Sequence, residues 1–215
     1  MPRWVPEKIW NDQDCIILGG GNSLRTFDWS LLKSENTIGC NTAFVHGPDV
    51  CKICIFGDLR WWKEYQFELS KYSDKGGVVF TNCVQLFASR LPWLWTLTRE
   101  NRGLHTNALG WNGNTGASAI NLAILLGAKR VYLLGFDMQH VDGRSNWHNK
   151  ILDPNAVRPF VYPQFCTQFK WVVKDWKEKF SNVEIYNVTE SSGLSQDLIP
   201  WLSPKTFWAE RVKNG

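Results

Sequence analysis

Cys15-Ile16-Ile17-Leu18-Gly19-Gly20-Gly21-Asn22-Ser23 is the stretch that decides the fold. Four apolar residues run directly into three glycines, the pattern of a strand buried on both faces that turns tightly at its carboxyl end. Outward from it the same pattern recurs. Thr37-Ile38-Gly39-Cys40 closes on Asn41, Ile53-Cys54-Ile55-Phe56 on Gly57-Asp58, and Val131-Tyr132-Leu133-Leu134 on Gly135-Phe136-Asp137, while Val78-Val79-Phe80 and Val183-Glu184-Ile185-Tyr186 read as two more strands. Helical spacing fills the gaps between them. Thr26 or Asp28 can cap a short helix through Trp29, Leu31 and Leu32, and residues 60–72 place Trp61, Tyr65 and Leu69 on one face. Residues 117–126 are apolar nearly all round, and residues 164–180 turn Phe165, Phe169, Val172, Val173 and Trp176 inward. This alternation predicts a Rossmann-like α/β fold: a mostly parallel sheet with helices on both faces and ligands bound beyond the carboxyl ends of the strands.

The 215 residues suit one nucleotide-binding domain spanning 1–215, with two irregular, turn-rich stretches, 91–113 and 138–162, as lid-like loops over a pocket. Thirteen tryptophans exceed what a core of this size needs, so some indoles are expected at a pocket or surface. The net charge of +4 comes from scattered lysines and arginines and gives no nucleic-acid footprint. Met1-Pro2-Arg3-Trp4 does not begin a signal peptide and no stretch has the length of a membrane span, so the expected location is the cytoplasm. Six cysteines in mostly apolar segments read as reduced thiols. Cys51-Lys52-Ile53-Cys54 matches a metal or redox spacing by letter, but in a strand its two thiols point to opposite faces.

The strand ends collect the candidate site. Gly19, Gly20 and Gly21 allow close backbone approach to a ligand, and Asn22 and Ser23 offer hydrogen bonds to phosphate or ribose, although a glycine triplet also makes a turn without a ligand. Asn41 and Asp58 suit ribose or base, and Asp58 or Asp137 suits ribose, a magnesium ion or an acceptor hydroxyl; Asp137 could equally brace a loop. Asn114, Thr115 and Gly116 open the apolar helix, as an anion site, an ordinary cap or both. Trp61 and Trp62 can stack a base or sugar, or lie in the core. His148, in a polar loop after the Asp137 strand, suits a general base, with His140 as its nearer rival. No Asp-x-Asp pair supports a preformed metal site.

These blocks resemble a known superfamily. Ile16-Ile17-Leu18-Gly19-Gly20-Gly21-Asn22-Ser23-Leu24 with Asp28-Trp29-Ser30-Leu31-Leu32 is similar to the opening of the 6-hydroxymethylpterin diphosphokinase-like proteins, the motility-associated flagellin glycosyltransferases and the Campylobacter-type CMP-sialic acid sialyltransferases. With Gly39-Cys40-Asn41, Gly57-Asp58-Leu59-Arg60-Trp61-Trp62 and the run from Gly113-Asn114-Thr115-Gly116 to Gly135-Phe136-Asp137-Met138, the chain looks like a phage and prophage branch of that group. The resemblance to the sialyltransferases implies a CMP donor held by Gly20, Gly21, Asn22, Ser23, Asn41, Asn114, Thr115 and Gly116, with His148 as base. Asn22 replaces the usual proline, Gly20 stands where an asparagine is found, and the tyrosine pair that supports the leaving phosphate has no evident counterpart. The implied activity is transfer from a nucleotide-sugar to an unknown acceptor with no required cofactor. Alternatives are an ATP- and magnesium-dependent pyrophosphokinase or a non-catalytic nucleotide-binding phage protein. The sequence leaves room for a homo-oligomer.

Overall fold

A computed structural model describes residues 7–148 and 161–214. Residues 149–160, inside the second stretch read as a loop over the pocket, lie outside the described residues. Among the described residues a seven-stranded sheet forms the middle layer. Its strands in chain order are β1 (Asp14–Leu18), β2 (Thr37–Cys40), β3 (Ile53–Phe56), β4 (Val78–Thr81), β5 (Leu94–Thr96), β8 (Arg130–Leu134) and β9 (Glu184–Asn187). Two short strands, β6 (Arg99–Glu100) and β7 (Leu109–Gly110), pair separately. The large sheet has the order β5-β4-β3-β2-β1-β8-β9, and every pairing in it is parallel. This is the Rossmann-like α/β fold expected from the strand endings.

Side chains alternate across the sheet with period two, and each set has its own cover. Ile17, Ile38, Ile53, Ile55 and Leu133 face α2 (Thr115–Leu125) and α3 (Val161–Lys179) in one cluster. Ile16, Leu18, Cys54, Phe56 and Leu134 face α1 (Leu59–Asp74) and Phe207 of α4 (Pro204–Asn214) in the other. The α2 residues from Gly116 to Leu125 are all buried, which explains an apolar pattern without a polar stripe.

Two features depart from the sequence reading. Leu94–Thr96, within a stretch without convincing periodicity, is the edge strand of the sheet beside β4. Three residues are too few to show alternation. At the other end, α4 packs Phe207 into the core and Arg211 bonds Asp14 at 2.7 Å and Glu35 at 2.5 Å, fastening it near the amino end of β1. All six cysteines are free, and all but Cys166 are buried.

Candidate functional site

The sheet order reverses at β1. The chain steps outward from β1 to β5 on one side, and β8 and β9 lie on the other, so a crevice opens where β1 and β8 end. A cavity of about 430 Å³ occupies it. Its walls draw Gly19, Gly20 and Gly21 from the end of β1, Cys40, Asn41 and Thr42 from β2, Asp58, Arg60 and Trp61 from β3 and α1, Asn114, Thr115 and Gly116 from the start of α2, and Gly135, Phe136, Asp137 and Met138 from the end of β8. Trp111, Gly113, Ser145, Asn146, His148, Tyr162 and Phe165 complete it. Residues far apart in sequence thus meet because parallel strands all end on one rim.

The opening loop is laced to β8. Gly19 N–H donates to the Leu134 carbonyl at 2.8 Å and Gly21 N–H to the Gly135 carbonyl at 2.9 Å. Ser23 donates its N–H to Asp137 Oδ2 at 2.9 Å and its hydroxyl to Asp137 Oδ1 at 2.5 Å. Burial pushes the Asp137 carboxyl up from the usual carboxylate range, against the opposing pull of the Ser23 bonds. Asp137 therefore braces the loop, and the amides of Gly19, Gly21 and Ser23 are already engaged. Gly20 differs from its neighbours: it lines the cavity, and a Cβ built on it meets nothing within 4 Å.

Asn41 sits in the left-handed region at φ +54, which asparagine tolerates better than most residues. Its carbonyl accepts from the Cys54 thiol at 3.4 Å, while its side-chain Oδ1 is buried without a hydrogen-bond partner among the described residues. Asn22 is in a similar state: it is 4% exposed, its Nδ2 donates to the Val141 carbonyl at 3.0 Å, and its Oδ1 is unpartnered. Neither Asn22 nor Ser23 belongs to the cavity wall. An orphaned buried acceptor is costly, and one in a cavity wall invites a donor from a ligand.

Two helices begin at the site, and their caps are side chains. Asp58 Oδ1 accepts from Arg60 N–H at 2.7 Å and Trp61 N–H at 3.3 Å at the start of α1. Asn114 Oδ1 accepts from Gly116 N–H at 2.7 Å and Ala117 N–H at 3.3 Å at the start of α2. Both residues are caps as well as wall residues. The two tryptophans divide. Trp61 lines the cavity and donates to the Thr42 hydroxyl, whereas Trp62 lies in the core, stacked on Phe56 at 5.4 Å. His148 is in the wall; His140 is not, and packs edge-on to Tyr162.

Several wall residues were not legible in the sequence. Tyr162 donates to the Ser145 carbonyl at 3.1 Å, and burial together with the nearby Asp137 charge pushes its phenol up to about 12. Trp111 carries the Arg99 guanidinium on its ring at 4.2 Å. Arg60 follows Asp58 by two positions, so the helix cap itself was a pointer to it. Among the described residues no group of three or more His, Cys, Asp or Glu could hold a metal ion, and no helix is long and apolar enough to cross a membrane.

No protein-family model and no curated protein matches the sequence. Solved structures share its fold. The sialyltransferase CstII from Campylobacter jejuni, in complex with the substrate analogue cytidine-5′-monophosphate, superposes with a TM-score of 0.57 at 16% identity over 90% of this chain and 86% of that one. The same enzyme with CMP-3FNeuAc gives 0.52 at 16% identity, over 89% and 86%. The MAf glycosyltransferase from Magnetospirillum magneticum AMB-1 gives 0.60 at 11% identity over 95% of this chain but 36% of that protein, so this chain spans about a third of its length. What the chain has in common with these enzymes is their fold.

Proposed function

We propose that the protein is a glycosyltransferase-like enzyme that binds a nucleotide-sugar, CMP-linked or similar, and transfers the sugar to an acceptor hydroxyl without requiring a metal. The observation that carries this reading is Asn41, a wall residue whose buried Oδ1 lacks a donor, in a cavity at the switch point of the sheet. A ribose hydroxyl or a base amine would supply that donor. The neighbouring folds with cytidine-5′-monophosphate and CMP-3FNeuAc support a nucleotide-sugar in a site of this kind.

Gly20 lets the donor approach the backbone, Asn41 and Asp58 face its ribose or base, and Trp61 offers an aromatic edge for a ring. His148 takes the proton of the acceptor hydroxyl as its oxygen bonds to the anomeric carbon; the carbon–oxygen bond to phosphate breaks, and the nucleoside monophosphate leaves with the electron pair. Replacing His148 with alanine abolishes sugar transfer and leaves CMP binding, followed by calorimetry, near the wild-type value. Transfer by the wild-type protein persists in EDTA. Turnover by the His148→Ala protein removes the assigned base, and loss of wild-type activity in EDTA removes metal independence.

A further inference from the structure

We propose that Trp147 is a positioning residue that ties His148 to the glycine loop, so that the base and the donor site move as one unit. The inference rests on the reading of His148 as the base. Trp147 joins the two partners directly. Its backbone N–H donates to the Gly20 carbonyl at 3.2 Å, and its indole N–H approaches the Gly19 carbonyl at 3.4 Å. Six residues earlier, the Val141 carbonyl accepts from Asn22 Nδ2 at 3.0 Å. The chain leading into His148 is therefore tied at Val141 and at Trp147 to a loop more than a hundred positions away in sequence.

The indole is seated as well as bonded. Trp29 and His46 stack on each other at 3.7 Å between centroids, 19° from parallel, and the Trp147 ring packs against both, at 5.3 Å from Trp29 and 5.0 Å from His46. Trp29 comes from the connection between β1 and β2, and His46 from that between β2 and β3. On its other side Trp147 meets the His148 imidazole edge-on, at 5.1 Å and 87°. A histidine that follows, and packs edge-on against, an indole bonded to Gly19 and Gly20 takes a position tied to the donor loop. Rings in these arrangements attract through their quadrupoles as well as by area.

Trp147→Ala and Trp147→Phe test this, with CMP as the binding probe. In the alanine protein the His148 imidazole Cε1–H resonance, assigned by its absence from His148→Ala, shifts and broadens. Its kcat falls between about 10-fold and 100-fold, as expected for a misplaced catalytic group, while the CMP Kd changes little. The phenylalanine protein, which retains a ring and the backbone bond, lies between; it also decides the matter if the alanine protein does not fold. A His148 resonance as narrow as in wild type in a folded Trp147 variant, whatever shift the lost indole ring current causes, overturns the proposal, as does a loss confined to CMP affinity with kcat intact. Wild-type protein that transfers no sugar instead overturns the glycosyltransferase reading, and the resonance still decides whether Trp147 places His148.

Discussion

A methyl group added at Gly20 meets only open cavity, whereas at Gly19 it lands 2.3 Å from the Gly135 carbonyl oxygen and at Gly21 2.2 Å from an Asp137 carboxylate oxygen. Packing thus requires glycine at two of the three positions, and at the third only a bound ligand would. Gly20→Ala is expected to unfold within about 0.5 kcal/mol of wild type and to bind CMP about tenfold more weakly. Gly21→Ala is expected to lose about 1–3 kcal/mol through overpacking. Urea unfolding and calorimetry separate the two; a Gly20→Ala protein that binds CMP normally would remove Gly20 from the ligand wall. Three adjacent glycines in a sequence cannot show this division, because what distinguishes them is β8, more than a hundred residues away. Asp137 illustrates the same limit: its position after a strand was legible, but its bonds to Ser23 were not.

The elements that were legible divide into two kinds: α1 and α3 by their amphipathic spacing, and a larger group by continuous burial. β1, β2, β3, β8 and α2 are buried from end to end or nearly so, and continuous burial writes a continuous apolar run. β5, with a single exposed residue between two buried ones, leaves a mark of three letters inside a tryptophan-rich segment. Trp111 and Tyr162 fall within the stretches read as loops over the pocket, where no periodicity marks which aromatics face the cavity. For α2, cap and ligand roles of Asn114 can be separated. Asn114→Asp retains an acceptor for the Gly116 and Ala117 amides and adds a charge that suits a helix start, so its Tm should equal or exceed that of wild type. The same charge in the cavity wall should weaken CMP binding, and more so at low salt. Unchanged CMP affinity at low salt would leave Asn114 as a cap alone.

For the whole molecule, the parallel order with its reversal at β1 brings the ends of β1, β2, β3 and β8 to one crevice, and that placement followed from the strand endings alone. The stack behind the crevice was not foreseeable, because Trp29, His46 and Trp147 lie on three separate connections. It gives global stability a pH dependence. Burial lowers the His46 pKa below its ordinary value, so the folded chain resists a proton that the unfolded chain accepts below about pH 6.5. The unfolding free energy should therefore be highest above that pH and decline as the pH falls through it toward the folded-state pKa. Replacing His46 with phenylalanine should flatten the decline between pH 7.5 and 5.5 in denaturant titrations; an identical slope in the two proteins would assign the effect elsewhere.

The cysteines give the fold a built-in clock. Five thiols are buried in the layers of the sandwich, with those of Cys15, Cys51 and Cys54 fully enclosed and Cys40 at the cavity wall, all four pushed up by burial, while Cys166 on α3 stands partly open. Thiolate chemistry needs both access and ionisation. Under native conditions a thiol-specific reagent meets Cys166 first, and each slower reaction then times the opening of a particular region: Cys40 the cavity wall, Cys15 and Cys54 the sheet itself. The chain thus carries its own residue-resolved record of local unfolding, with no label to be engineered into it.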